Sequence, residues 1–194
     1  MSEEITNAEA NQGAASDNNS GRVGFGPRLG AYLIDMVFNG IVGSIIGGAL
    51  GATLTGIFFG SQAATGTAEG DAMVGGIGAM LGGMIGTIAG IYLMSLILFI
   101  MEGITGQTPG KMLLKLKNKN EDGAAAGAGA LWTRALLKYI GAIMALLAGV
   151  TGVAIIGTIG SLAGFIIFIG CFFVLGQKRQ AIHDLIAKTA VFKK

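Results

Sequence analysis

Apolar residues gather into three long runs, and the charged ones are swept into the gaps between them. From Leu29 to Phe59 the only charged side chain is Asp35, and from Ala72 to Met101 there is none. Each run exceeds the roughly 20 residues that an α-helix needs to cross about 30 Å of hydrocarbon. One membrane helix is therefore expected over roughly 29–59 and another over 72–101, with length to spare for tilt. The third run, Ala135 to Leu175, carries only Lys138. As a single helix it would be about 60 Å long, so two spans are expected instead, roughly 134–152 and 154–176. The turn between them falls in "GVTGVAIIG", where Gly149, Gly152 and Gly157 can supply the bend. The expected fold class is all-α: a polytopic bundle of four transmembrane helices.

Residues 1–21 break this pattern. "MSEEITNAEANQGAASDNNS" is polar and acidic, the reverse of a cleavable signal peptide, and has almost nothing to bury. It reads as a disordered tail ahead of a transmembrane domain over 22–194, whose first helix would serve as an uncleaved insertion signal. The gap from Gly60 to Asp71 contains Glu69 and Asp71 but no Lys or Arg, whereas "GKMLLKLKNKN", "QKRQ" and "FKK" are basic. The positive-inside rule puts the basic segments, and Arg22 and Arg28, on the cytoplasmic side. An even number of crossings then separates them. Both termini are expected in the cytoplasm.

Composition agrees and removes several function classes. Of 194 residues 52% are hydrophobic and 12% charged, about half the charge of an ordinary soluble domain. The lipid bilayer is thus the first partner implied. A net charge of +2, without a basic patch interleaved with aromatics, gives no reason to invoke nucleic acid. The single cysteine, Cys171, lies in an apolar run and reads as a small hydrophobe. No metal site is expected, because His183 is the one histidine and no Cys/His/Asp cluster has ligand spacing. "GQTPGK" lacks the spacing of a phosphate-binding loop, and no nucleophile elbow or zincin motif occurs. Neither an enzyme nor a bound cofactor is expected.

Glycine is abundant, with 35 residues, and its spacing is regular. Gly78, Gly82, Gly86 and Gly90 recur at every fourth position of the second helix, and Gly43, Gly47 and Gly51 do so in the first. Gly160 and Gly164 repeat the spacing in the last. Such stripes let helix backbones approach closely. They serve either packing within one chain or a homo-oligomer contact through the Gly78–Gly90 face.

Against this apolar ground a few polar residues stand out. Arg28, Tyr32, Asp35 and Asn39 fall on one face of the first helix. An aspartate near the middle of a span costs roughly 2.5–3.5 kcal/mol on insertion scales, so it needs a partner or a task. Glu102 closes the second helix, as an interfacial anchor or a functional group. Arg134 and Lys138 open the third, where positive charge most often sets topology.

"PRLGAYLID", with "EGITGQTPGKMLLKLK" after the second helix, Arg134 opening the next run and the closing "KRQAIHDLIAKTAV", resembles the RDD family of membrane proteins. That family is named for an arginine and two aspartates. Arg28 and Asp35 stand where the arginine and the first aspartate belong, and the closing motif supplies the second, Asp184. Pro109 and the high glycine content depart from the usual pattern without touching these three. The resemblance implies a small bacterial inner-membrane protein, with transport and cation/proton exchange among the proposals for the family. Two readings follow for Arg28, Asp35 and Asp184, supported by Tyr32, Asn39, Glu102 and Arg134. The set is either an ion or proton site in a small-cation transporter, or a structural lock in a non-transporting scaffold or partner subunit. No inverted repeat is evident, which weakens the transporter case.

Overall fold

The computed structural model describes residues 21–59 and 67–194. The expected tail, up to residue 20, and most of the acidic connection after the first helix lie outside the described residues. The elements are α1 (Phe25–Phe59), α2 (Ala68–Thr105), α3 (Pro109–Leu113), β1 (Leu116–Asn120), α4 (Ala128–Thr151), α5 (Ala154–Gly170), α6 (Ile182–Ile186) and β2 (Thr189–Lys193). A 3-10 turn, Cys171–Leu175, continues α5. Four helices are long and apolar enough to cross a membrane: α1, α2, α4, and α5 with its 3-10 extension. The broad apolar surface they leave exposed, Ile45, Phe165 and Leu175 among it, is what acyl chains solvate.

The helices outrun the apolar stretches that announce them. α1 starts at Phe25 and admits Pro27 because the first turn needs no N–H from that position. α2 continues past Glu102, and α4 begins at Ala128, ahead of Arg134. In each case a charged residue that marked an expected boundary sits inside the helix, neutralised by a partner. The small ribbon of β1 and β2 is an addition to the all-α expectation.

The described residues pack as two units, 21–32, 101–138 and 164–194 in the first, and 33–59, 67–100 and 139–163 in the second. In the first, β1 and β2 pair antiparallel, Leu116 opposite Lys193, Asn118 opposite Val191 and Asn120 opposite Thr189. Bridges from Arg22 to Phe192 and from Lys119 to Ala125 widen the ribbon on both sides. Val23, Ala31, Leu116 and Val191 form its apolar core.

This unit contains one motif twice. Gly106 and Arg179 both take left-handed backbone, with φ of 70° and 48°. Each is followed by a glutamine whose side-chain amide donates to the first carbonyl of the coming strand: Gln107 to Leu116 at 2.7 Å and Gln180 to Thr189 at 2.8 Å. A five-residue helix follows in each copy, then a left-handed lysine, Lys115 or Lys188, with φ of 54° and 51°, then the strand. Asn118 and Val191, the equivalent residues, face each other at the centre of the ribbon, so the pairing itself obeys a local two-fold.

In the second unit α1 and α2 meet glycine to glycine. Gly43, Gly47 and Gly51 are buried against Gly82, Gly86 and Gly90; a Cβ on Gly43 would sit 2.8 Å from the Cα of Ile91. Thr55 adds a hydrogen bond from Oγ1 to the carbonyl of Gly78 at 3.0 Å. Gly82, Gly86 and Gly90 are therefore packed against α1 of the same chain. α4 and α5 are joined at Gly152, whose φ of 72° is left-handed.

Candidate functional site

The polar core of the first unit is assembled by its helix ends. Gly103 lacks a Cβ that would stand 2.6 Å from the indole of Trp132, so α2 and the start of α4 come close enough for Glu102 and Arg134 to meet. Gly170 does the same for Ile182, where a Cβ would come within 2.8 Å, and brings α6 with Asp184 against the end of α5.

Two carboxylates are fully enclosed there, Glu102 and Asp184, each with 0% exposure. Asp184 accepts from Arg28 Nη1 and the backbone N–H of Ala181 on one oxygen, and from Arg134 Nε at 2.6 Å on the other. Glu102 Oε1 accepts from Lys111 Nζ, Arg134 Nη1 and Asn118 Nδ2, the last at 3.0 Å. Its Oε2 accepts from Lys138 Nζ at 2.6 Å. Arg134 thus bridges both carboxylates, and Asn118 also accepts from Lys111 at 3.0 Å.

Arg28 is equally committed: its Nε donates to Val23 O at 2.9 Å and its Nη2 to Arg179 O at 2.7 Å. One guanidinium therefore ties the start of α1 to the C-terminal corner.

The network is built from four cations, Arg28, Lys111, Arg134 and Lys138, against two carboxylates. Burial acts first on each titrating group outside the spans. It pushes Lys111 down to about 7, with Arg134 adding repulsion and Glu102 opposing. Burial likewise pushes His183 down to about 3 against the pull of Asp184, so the imidazole is neutral. Its Nε2 lies 3.4 Å from both Arg134 Nη2 and Asp184 Oδ1. Burial by itself would raise Asp184, but the Arg134 and Arg28 guanidiniums outweigh it and hold the carboxyl below its ordinary range.

The structure brings together four of the residues singled out from sequence, Arg28, Glu102, Arg134 and Asp184. Tyr32 is 49% exposed, and Asp35 and Asn39 belong to the second unit. There Asp35 is buried, at 7% exposure, and Asn39 Nδ2 donates to Ser95 Oγ at 3.0 Å. Lys111, Asn118 and Lys138 are members of the network that the sequence reading missed. Lys111 had been weighed only as part of a phosphate loop and Lys138 only as a topology signal. Among the described residues, no group of three or more His, Cys, Asp or Glu could hold a metal.

An arginine in the first turn of α1 is thus joined to a buried aspartate of the closing motif. The RDD family model matches residues 22–188. The chain belongs to the RDD family. No curated protein and no solved structure matches it. Within this RDD-family chain the name-giving residues part company. Arg28 and Asp184 are bonded to each other in the first unit, while Asp35 lies further along α1, in the second.

Proposed function

We propose that this RDD-family protein is a non-transporting membrane scaffold or partner subunit, and that Arg28, Glu102, Arg134 and Asp184 act in it as a structural clasp. The carrying observation is Asp184: fully enclosed, with both oxygens occupied by Arg28, Arg134 and the Ala181 amide, it offers no position to an incoming cation. Glu102 is saturated in the same way. The sequence holds no nucleophile elbow, zincin motif or metal-ligand spacing, which makes an enzyme the weakest reading. Lys115, Lys117, Lys119 and Lys188 favour a cytoplasmic orientation for the ribbon, in a bacterial inner membrane.

A second reading, small-cation or proton-coupled transport, has its own support in the second unit. Asp35 is buried within an apolar span, and the Asn39 Oδ1 one turn further on is buried without a protein donor. Oxygen donors so placed suit a proton or a hard cation.

Flux separates the readings. The purified chain in proteoliposomes is expected to pass no Na⁺, K⁺ or Li⁺ under an imposed pH gradient. A flux that Asp35→Asn abolishes while the variant still folds would establish transport and remove the scaffold reading.

A further inference from the structure

Outside the ion-pair network, the first unit has a partly open cavity of about 290 Å³ lined by Gln107, Met112, Lys115 and Lys194. Its polar residues are one glutamine and two lysines. Gln107 Nε2 gives one hydrogen to Leu116 O, and its second amide hydrogen has no acceptor among the described residues. Lys194 N donates to Lys115 O at 2.7 Å, which fixes the two lysine backbones side by side. Neither lysine is in an ion pair among the described residues. Beside them Met112 and Leu113 present apolar side chains that are 54% and 71% exposed.

The repeated motif offers a comparison within the same molecule. At the second corner Gln180, Leu185 and Lys188 stand for Gln107, Met112 and Lys115. The residue that follows the paired strand differs: Glu121 after β1, Lys194 after β2. Glu121 supplies a carboxylate to Gln180 Nε2 at 2.9 Å, so at that corner the chain provides its own anion. At the first corner the equivalent place carries Lys194, and no side-chain carboxylate accepts from Gln107 among the described residues.

We infer that the cavity bounded by Gln107, Lys115 and Lys194 binds a phosphate-bearing anion. Two ammonium groups and an amide N–H match the three-sided donor demand of a phosphate, and lysine serves it as a point charge. A phospholipid headgroup and a free phosphate share this chemistry. The exposed Met112 and Leu113, following directly on a membrane helix, favour the lipid, whose acyl chains they would meet.

The test is thermal melting of the full chain in an uncharged detergent, titrated with short-chain phosphatidylglycerol, with phosphatidylcholine of the same chain length, and with inorganic phosphate at matched ionic strength. Phosphatidylglycerol is expected to raise the melting temperature and phosphatidylcholine to leave it unchanged. Lys115→Gln and Lys194→Gln should each weaken the effect about tenfold, the loss of one charge-assisted contact. Lys188→Gln, at the corner that has its own carboxylate, should leave it intact, and circular dichroism checks that all three variants fold. Inorganic phosphate that stabilises with the same variant pattern assigns the site to free anion and still supports it. Equal effects of the two lipids without any phosphate effect, or a loss in Lys188→Gln as large as in Lys115→Gln, would overturn the site in favour of a diffuse basic surface.

Discussion

Arg134 donates through Nε to Asp184 Oδ1 at 2.6 Å, and the other arm of the same guanidinium reaches Glu102. These residues come from the start of α4, from α6 and from the end of α2, so one side chain fastens three elements of the first unit. Removing one partner from such a buried pair leaves the other charge uncompensated, which typically costs about 3–5 kcal/mol.

Asp184→Ala is accordingly expected to lower the unfolding free energy in mixed micelles by about that amount. Arg134→Lys should not restore the wild-type value, because a single ammonium cannot serve two carboxylates through a fork. Equilibrium unfolding of the two variants against wild type gives the comparison.

Acid should unfasten the same corner. Asp184 has its pKa lowered in the fold, so its contribution is present above the ordinary carboxylate range and is lost as pH falls through it. His183, lowered from 6.5 to about 3, takes up a proton more readily when unfolded, so stability falls progressively as pH drops from about 6.5 toward 3. His183→Gln should flatten that slope. Lys111, lowered from 10.5 to about 7, makes stability rise as pH increases across that window, and Lys111→Met should remove the rise. Melting temperatures from pH 2 to pH 10 read all three effects.

The glycine face of the second unit gives a paired substitution. A Cβ on Gly47 would lie 2.5 Å from the Cα of Thr87, while one on the neighbouring Gly48 meets nothing within 4 Å. Gly47→Ala should destabilise by about 1–3 kcal/mol through overpacking. Gly48→Ala should be neutral or stabilising by up to about 1 kcal/mol, from helix propensity. Unfolding of the two single variants under one condition decides it.

The membrane helices were legible because each is a continuous apolar run, and the glycine face because its spacing survives in one dimension. Helix ends differ where Arg28, Glu102 and Arg134 look like boundaries in the sequence; only their three-dimensional partners explain why a helix carries them inside. Sequence order could not bring Glu102 to Arg134, or Arg134 to Asp184, across separations of 32 and 50 positions. The repeated corner was hidden for another reason. Its two copies coincide in residue type only at Gln107/Gln180 and Lys115/Lys188, since the likeness resides in backbone angles and main-chain acceptors, which many side chains satisfy.

The clasp is tested most directly by a double-mutant cycle on Arg28 and Asp184, with Arg28→Gln, Asp184→Asn and the double variant unfolded in mixed micelles beside wild type. A structural clasp is expected to give a coupling energy above about 1 kcal/mol, because the two residues share one buried contact. Additive effects, with coupling near zero, would contradict it.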